Sequence, residues 1–124
     1  MPITQAGMGR KPSGGRYKAS RMKRIFELAG RPTHTTIGEA KKKQDRTRAG
    51  KLKTRLLKTD VVNVVGKDGK CQQAKIKTVT GNTADPQFVR RNIMNKGAVV
   101  DTDIGKVRIT NRPGQEGTLN GVLL

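Results

Sequence analysis

The chemistry available to this chain lies in its cations. Seven stand between Arg10 and Arg24 (Arg10, Lys11, Arg16, Lys18, Arg21, Lys23 and Arg24), with no acid among them. Arg31 follows, then a second run of Lys41, Lys42, Lys43, Arg46 and Arg48, and later Arg90, Arg91 and Arg112. A guanidinium fork grips two phosphate oxygens at once and stacks on planar groups, whereas an ammonium acts as a point charge. These residues point to neutralisation of a polyanion rather than to bond making. Groups suited to bond making are sparse. His34 is the only histidine and Cys71 the only cysteine, so neither has the partners that a metal site or an activated nucleophile needs. Asp101-x-Asp103 lacks a third acid close by and reads as turn residues. The phosphate-binding pattern Gly-x4-Gly-Lys-Ser/Thr is absent. No catalytic residue, metal or cofactor is expected.

The composition supports a nucleic-acid partner. The 124 residues carry 27 Lys and Arg against 9 Asp and Glu, a net charge of +18. A free globule so charged repels itself, and a permanent polyanion removes the repulsion. Membrane association is disfavoured: no purely apolar run exceeds three residues, as in Ala98-Val99-Val100, far short of the roughly 20 residues of a spanning helix. Residues 1–15 lack the apolar centre of a signal peptide. A lone cysteine fits a reducing cytosol. Phosphate-rich nucleic acid is therefore favoured over a membrane or a small-molecule substrate.

The elements that must position these cations divide the chain in two. Residues 1–34 read as a basic N-terminal extension with an anchor, and 35–124 as a β-barrel nucleic-acid-binding domain. The first nine residues read as coil. Pro12, Gly14 and Gly15 interrupt the cationic run, so by itself it cannot bury enough apolar surface to offset its ordering entropy. Ile25-Phe26-Glu27-Leu28 is expected to anchor the extension through Phe26 and Leu28. Thr35 to Gly38 starts the first strand. Glu39 to Arg48 has no apolar stripe and reads as an extended cationic segment entering the barrel, with a turn at Ala49-Gly50.

From Lys51 the pattern has period two, with Leu52, Thr54 and Leu56 opposite Lys51, Lys53 and Arg55. Val61 to Val65 reads as a strand buried on both faces. Asp68-Gly69 turns a hairpin into a return strand, Cys71 to Val79. Cys71, Gln73, Lys75, Lys77 and Val79 share one face of that strand, and Ala74 and Ile76 lie on the other. Phe88 and Val89 are expected in the core, and Arg90-Arg91-Asn92 on a short turn or a single helical turn. A hairpin pairs Ala98–Asp101 with Lys106–Thr110, and Thr118 to Leu124 forms a docked final strand. About six short strands joined by Gly-rich turns predict an all-β class, a small barrel-like domain with a long basic tail.

Several of these segments occur together, in the same order, in one family. They are Arg10-Lys11-Pro12-Ser13-Gly14-Gly15-Arg16, Gly30-Arg31-Pro32, Asn82-Thr83-Ala84, Phe88-Val89-Arg90-Arg91-Asn92-Ile93 and Arg112-Pro113-Gly114-Gln115-Glu116-Gly117. The chain resembles the eight-e family of small-subunit ribosomal proteins, shared by archaea and eukaryotes. With only about 20 residues between Arg91 and Arg112, it lacks the long eukaryotic insertion and looks archaeal. The resemblance implies a β-barrel, a basic extension, no enzymatic activity and a cytoplasmic ribosomal location. It implies binding to small-subunit ribosomal RNA beside neighbouring ribosomal proteins. The charge alone fits a DNA-compacting or architectural protein equally well, and only the resemblance decides for RNA.

Overall fold

The computed structural model describes Thr4 and residues 9–124. The coil reading of residues 1–9 therefore falls mostly outside the described residues. The chain divides into two compact units, Met1–Pro32 and Thr33–Leu124.

The second unit is built from nine strands: β1 (Thr35–Ile37), β2 (Lys41–Arg46), β3 (Leu52–Thr59), β4 (Val61–Val65), β5 (Cys71–Gly81), β6 (Ile93–Met94), β7 (Val99–Thr102), β8 (Lys106–Ile109) and β9 (Asn120–Leu123). One helix, α1 (Pro86–Arg90), lies between β5 and β6. Five strands close into a barrel in the order β4-β5-β7-β8-β9, and β9 completes it by running parallel to β4. The other four form a sheet in the order β2-β3-β1-β6. The all-β barrel expected from the pattern is present, but β2 lies outside it, at the edge of the second sheet. An all-polar strand has no face to bury, so it pairs at an edge, where both of its faces stay wet.

One core serves both sheets. Leu56 and Met94 of the four-stranded sheet pack with Val62, Val64, Ala74, Ile76, Val100, Val107 and Ile109 of the barrel. It is aliphatic throughout, as a chain with three aromatic residues requires. Buried hydroxyls are satisfied locally: the Thr35 Oγ1 donates to the Leu56 carbonyl at 2.7 Å, and the Thr102 Oγ1 to the Gly105 carbonyl at 2.7 Å. This pairing removes the cost of burying a polar group.

Several side chains depart from the alternation read in the sequence. β4 is buried on one face only: Val62 and Val64 point inward, while Val61 is 37% and Val65 36% exposed. A barrel wall has a wet outer face, and β-branched residues favour strands whether or not they are covered. On β5, Val79 joins Ala74 and Ile76 inside rather than sharing the face of Cys71. Its pairing with β7 shifts register between Ile76 and Thr78, and again between Val79 and Gly81. An irregularity of this kind inverts the alternation and bends the strand from one neighbour to the next. Phe88 and Val89 are half-buried rather than core. The Phe88 ring instead tilts against His34, with centroids 5.4 Å apart.

Closure imposes one severe packing constraint. A Cβ on Gly121 of β9 would lie 2.4 Å from the Val107 Cγ1 and 2.9 Å from the Arg108 carbonyl oxygen. Gly121→Ala should therefore push β9 off β8 and lower unfolding stability by about 1–3 kcal/mol. Chemical denaturation would register this as a lower midpoint.

Candidate nucleic-acid interface

β2 and β3 form a two-stranded ribbon whose register sorts its charges onto two faces. Lys43 stands opposite Arg55 and Asp45 opposite Lys53, so these four share one face. Lys42 opposite Leu56, Gln44 opposite Thr54 and Arg46 opposite Leu52 make up the other. Like charges set directly across a ladder repel. Asp45 relieves the first face: its Oδ1 meets the Lys43 Nζ at 3.2 Å, and its Oδ2 accepts from the Arg55 Nε at 2.8 Å. Lys43 first, and Arg55 second, hold the Asp45 carboxyl below its ordinary range. Lys41, Lys42, Lys43, Arg46 and Arg48 are all exposed.

The ribbon is seated by the loop from Arg112 to Gly117. The Pro113 carbonyl accepts the Leu56 backbone N–H at 3.0 Å, and Pro113 is buried. The Gly117 Cα lies so close to the ribbon that an added Cβ would come within 2.8 Å of the Thr54 Cγ2. This loop holds Arg112, which is exposed, beside the ribbon's root. Arg90 ends α1 and Arg91 caps it, both exposed. Asp85 starts that single turn by accepting the Gln87 N–H at 2.8 Å, and Pro86 occupies the first helical position. Of Arg90-Arg91-Asn92, read from the sequence as a short turn or a single helical turn, only Arg90 lies within the helix; Arg91 is its cap and Asn92 lies beyond it at φ +49°.

In the first unit, Pro12 and Gly14 fold the cationic run back on itself. Arg10 and Arg16 form an isolated antiparallel bridge. The Gly14 N–H donates to the Lys11 carbonyl at 2.8 Å, and Gly14 adopts φ +82°. The Arg10 Nη1 donates to the Gly14 carbonyl at 2.9 Å, and the Lys11 ammonium lies 5.6 Å from the centre of the Tyr17 ring. Arg21 is engaged with Glu27 through both of its terminal nitrogens. This pairing holds the Glu27 carboxyl low. Lys18, Lys23, Arg24 and Arg31 are exposed. Phe26, expected as an anchor, is 74% exposed, and Leu28 is half-buried, bridged to Thr4.

The sequence-based set omitted the cations of β3 and of the barrel wall. Lys51, Lys53, Arg55 and Lys58 extend the ribbon's charge, and Lys75, Lys77, Lys106 and Arg108 stand on the outer face of the barrel. Lys77 pairs with Asp103 at 3.4 Å. The signal for them was the alternation of cations with apolar residues, used only to assign strands. Among the described residues no group of three or more His, Cys, Asp or Glu side chains could hold a metal ion. Among them, too, no helix is long and apolar enough to cross a membrane.

A model of the family "Ribosomal protein S8e" matches residues 4–124. A small ribosomal subunit protein eS8 from Picrophilus torridus is 46% identical over the full length of both chains. The proteins of the same name from Methanocorpusculum labreanum and Methanosphaerula palustris are 47% and 45% identical, each over 93% of both chains.

Asp45 provides a test of the ribbon. A carboxyl held low in the fold adds stability that is complete above its ordinary value of 3.8 and is lost as pH falls through the lowered one. Melting curves of the wild type and Asp45→Asn should therefore differ most near neutral pH. They should converge as the pH falls below the ordinary carboxyl value and through the lowered one.

Proposed function

The chain belongs to the ribosomal protein S8e family, and from that premise we propose that it is a structural constituent of the small ribosomal subunit. In this reading it binds small-subunit ribosomal RNA by phosphate neutralisation. It works in the cytoplasm beside neighbouring ribosomal proteins, and it catalyses nothing. Residues 1–34 act as the basic extension and 35–124 as the RNA-binding domain.

The observation that carries the reading is the excess of exposed cations in a chain of this family. With 27 Lys and Arg against 9 acids, pairing every acid once still leaves 18 cations without a carboxylate. Phosphate supplies the missing charge. Each neutralised phosphate releases condensed counterions, which makes binding entropically favourable and steeply dependent on salt. The contacts of the extension are Arg10, Lys11, Arg16, Lys18, Arg21, Lys23, Arg24 and Arg31. Those of the domain are Lys41, Lys42, Lys43, Arg46, Arg48, Arg90, Arg91 and Arg112.

Recognition works chiefly through RNA shape and backbone, because the chain holds only three aromatic residues for stacking. Phe88 is already packed on His34. Cross-strand repulsion between Arg10 and Arg16 also favours an anion at that turn.

Replacing Arg16, Arg21 and Arg24 together with Ala should weaken binding to small-subunit ribosomal RNA. It should lower the log–log salt slope by about two, at 0.7–0.9 per lost phosphate contact. The circular dichroism of the barrel should not change. An unaltered slope would remove the extension from the interface. Competition of structured RNA against duplex DNA at about 0.2 M salt separates this reading from DNA compaction: RNA should win.

A further inference from the structure

We infer that the tip of the β2–β3 ribbon is an RNA-insertion finger. Leu52 packs against an unstacked base there, while Arg46, Arg48 and Lys51 hold the flanking phosphates. This rests on the RNA-binding reading above and adds to it a contact that phosphate neutralisation does not require.

The argument begins with a gradient along one face of the ribbon. Leu56, Thr54 and Leu52 follow one another on that face. Leu56 is 2% exposed in the core, Thr54 is half-buried beneath Gly117, and Leu52 is 65% exposed. The apolar row thus continues past the point where the domain can cover it. Leu52 stands directly opposite Arg46, next to Lys51 and close to Arg48. A large aliphatic side chain alone among cations suits neither bulk water nor a phosphate. It suits the face of a base whose phosphates lie within reach of those cations. Apolar side chains used in this way wedge between bases and unstack them.

The tip is also held in shape before any partner arrives. The Thr47 backbone N–H and its Oγ1 both donate to the Lys51 carbonyl, at 2.7 and 2.8 Å. Ala49 and Gly50 both take left-handed backbone conformations, at φ +62° and +72°. Such a conformation is uncommon for alanine and persists only when its surroundings impose it. A fixed tip loses little entropy on binding.

The test uses the full-length protein, with purified archaeal small-subunit ribosomal RNA as the probe, and reads affinity across a salt series. Leu52→Ala should weaken binding about five- to tenfold, toward the lower end of what one lost base contact costs, and leave the salt slope unchanged. Leu52→Phe should bind at least as tightly as the wild type. Leu52→Lys should steepen the slope and still bind more weakly, because a base face does not reward the added charge. Equal affinity of the wild type and Leu52→Ala, or tighter binding by Leu52→Lys, would overturn the inference. So would a Leu52→Ala defect seen only in assembled particles and not on free RNA, which would make the tip's partner a protein. If the wild type itself fails to bind this RNA, the broader reading fails instead.

Discussion

Charge repulsion is the constraint around which this molecule is built. A chain of +18 has to fold around a small aliphatic core while keeping its cations apart or opposite an acid. The solution is geometric. In the domain, cations occupy the outer face of a closed barrel and both faces of an edge ribbon, so few of them lie near the core. Lys43 and Arg55 face each other across the β2–β3 ladder, and Asp45 is shared between them. The core itself asks nothing of charge, and its few buried polar groups are threonine hydroxyls bonded to nearby carbonyls.

Closure and seating depend on close backbone approach. β9 reaches its place between β8 and β4 because Gly121 has no side chain to strike Val107. The loop from Arg112 to Gly117 lies on the ribbon because Gly117 leaves room for Thr54, and its Pro113 carbonyl takes a β3 donor that β1 does not reach. The same loop is one of the segments that carry the resemblance to the family. Its glycine and proline therefore have a structural task of their own. Binding a polyanion that prefers the folded chain would add stability by mass action to this modest core.

The candidate interface was partly legible in the residues alone. Lys and Arg runs such as Arg10–Arg24 and Lys41–Arg48 are visible without any fold, because charge density is a property of composition. The cations of β3 and β8 were less visible: one charge at every second position looks like an ordinary amphipathic strand until the strand is placed on an outer wall. Arg21 looked like its neighbours in the sequence, and only the folded chain engages it with Glu27, six residues on. Phe26 looked like an anchor because apolar residues in polar surroundings are usually covered, yet its ring is largely exposed.

Period-two hydrophobicity and the Asp68-Gly69 turn were sufficient to determine the all-β class and the β4–β5 and β7–β8 hairpins. Each depends on neighbours a few residues apart, so local sequence contains the whole cause. Three features were decided only by the tertiary structure: the parallel pairing that closes β9 on β4, the shift that turns Val79 inward, and the division of cations between the two faces of the ribbon. Those depend on which distant strand lies alongside, and that is settled by closing one shared core rather than by any single segment.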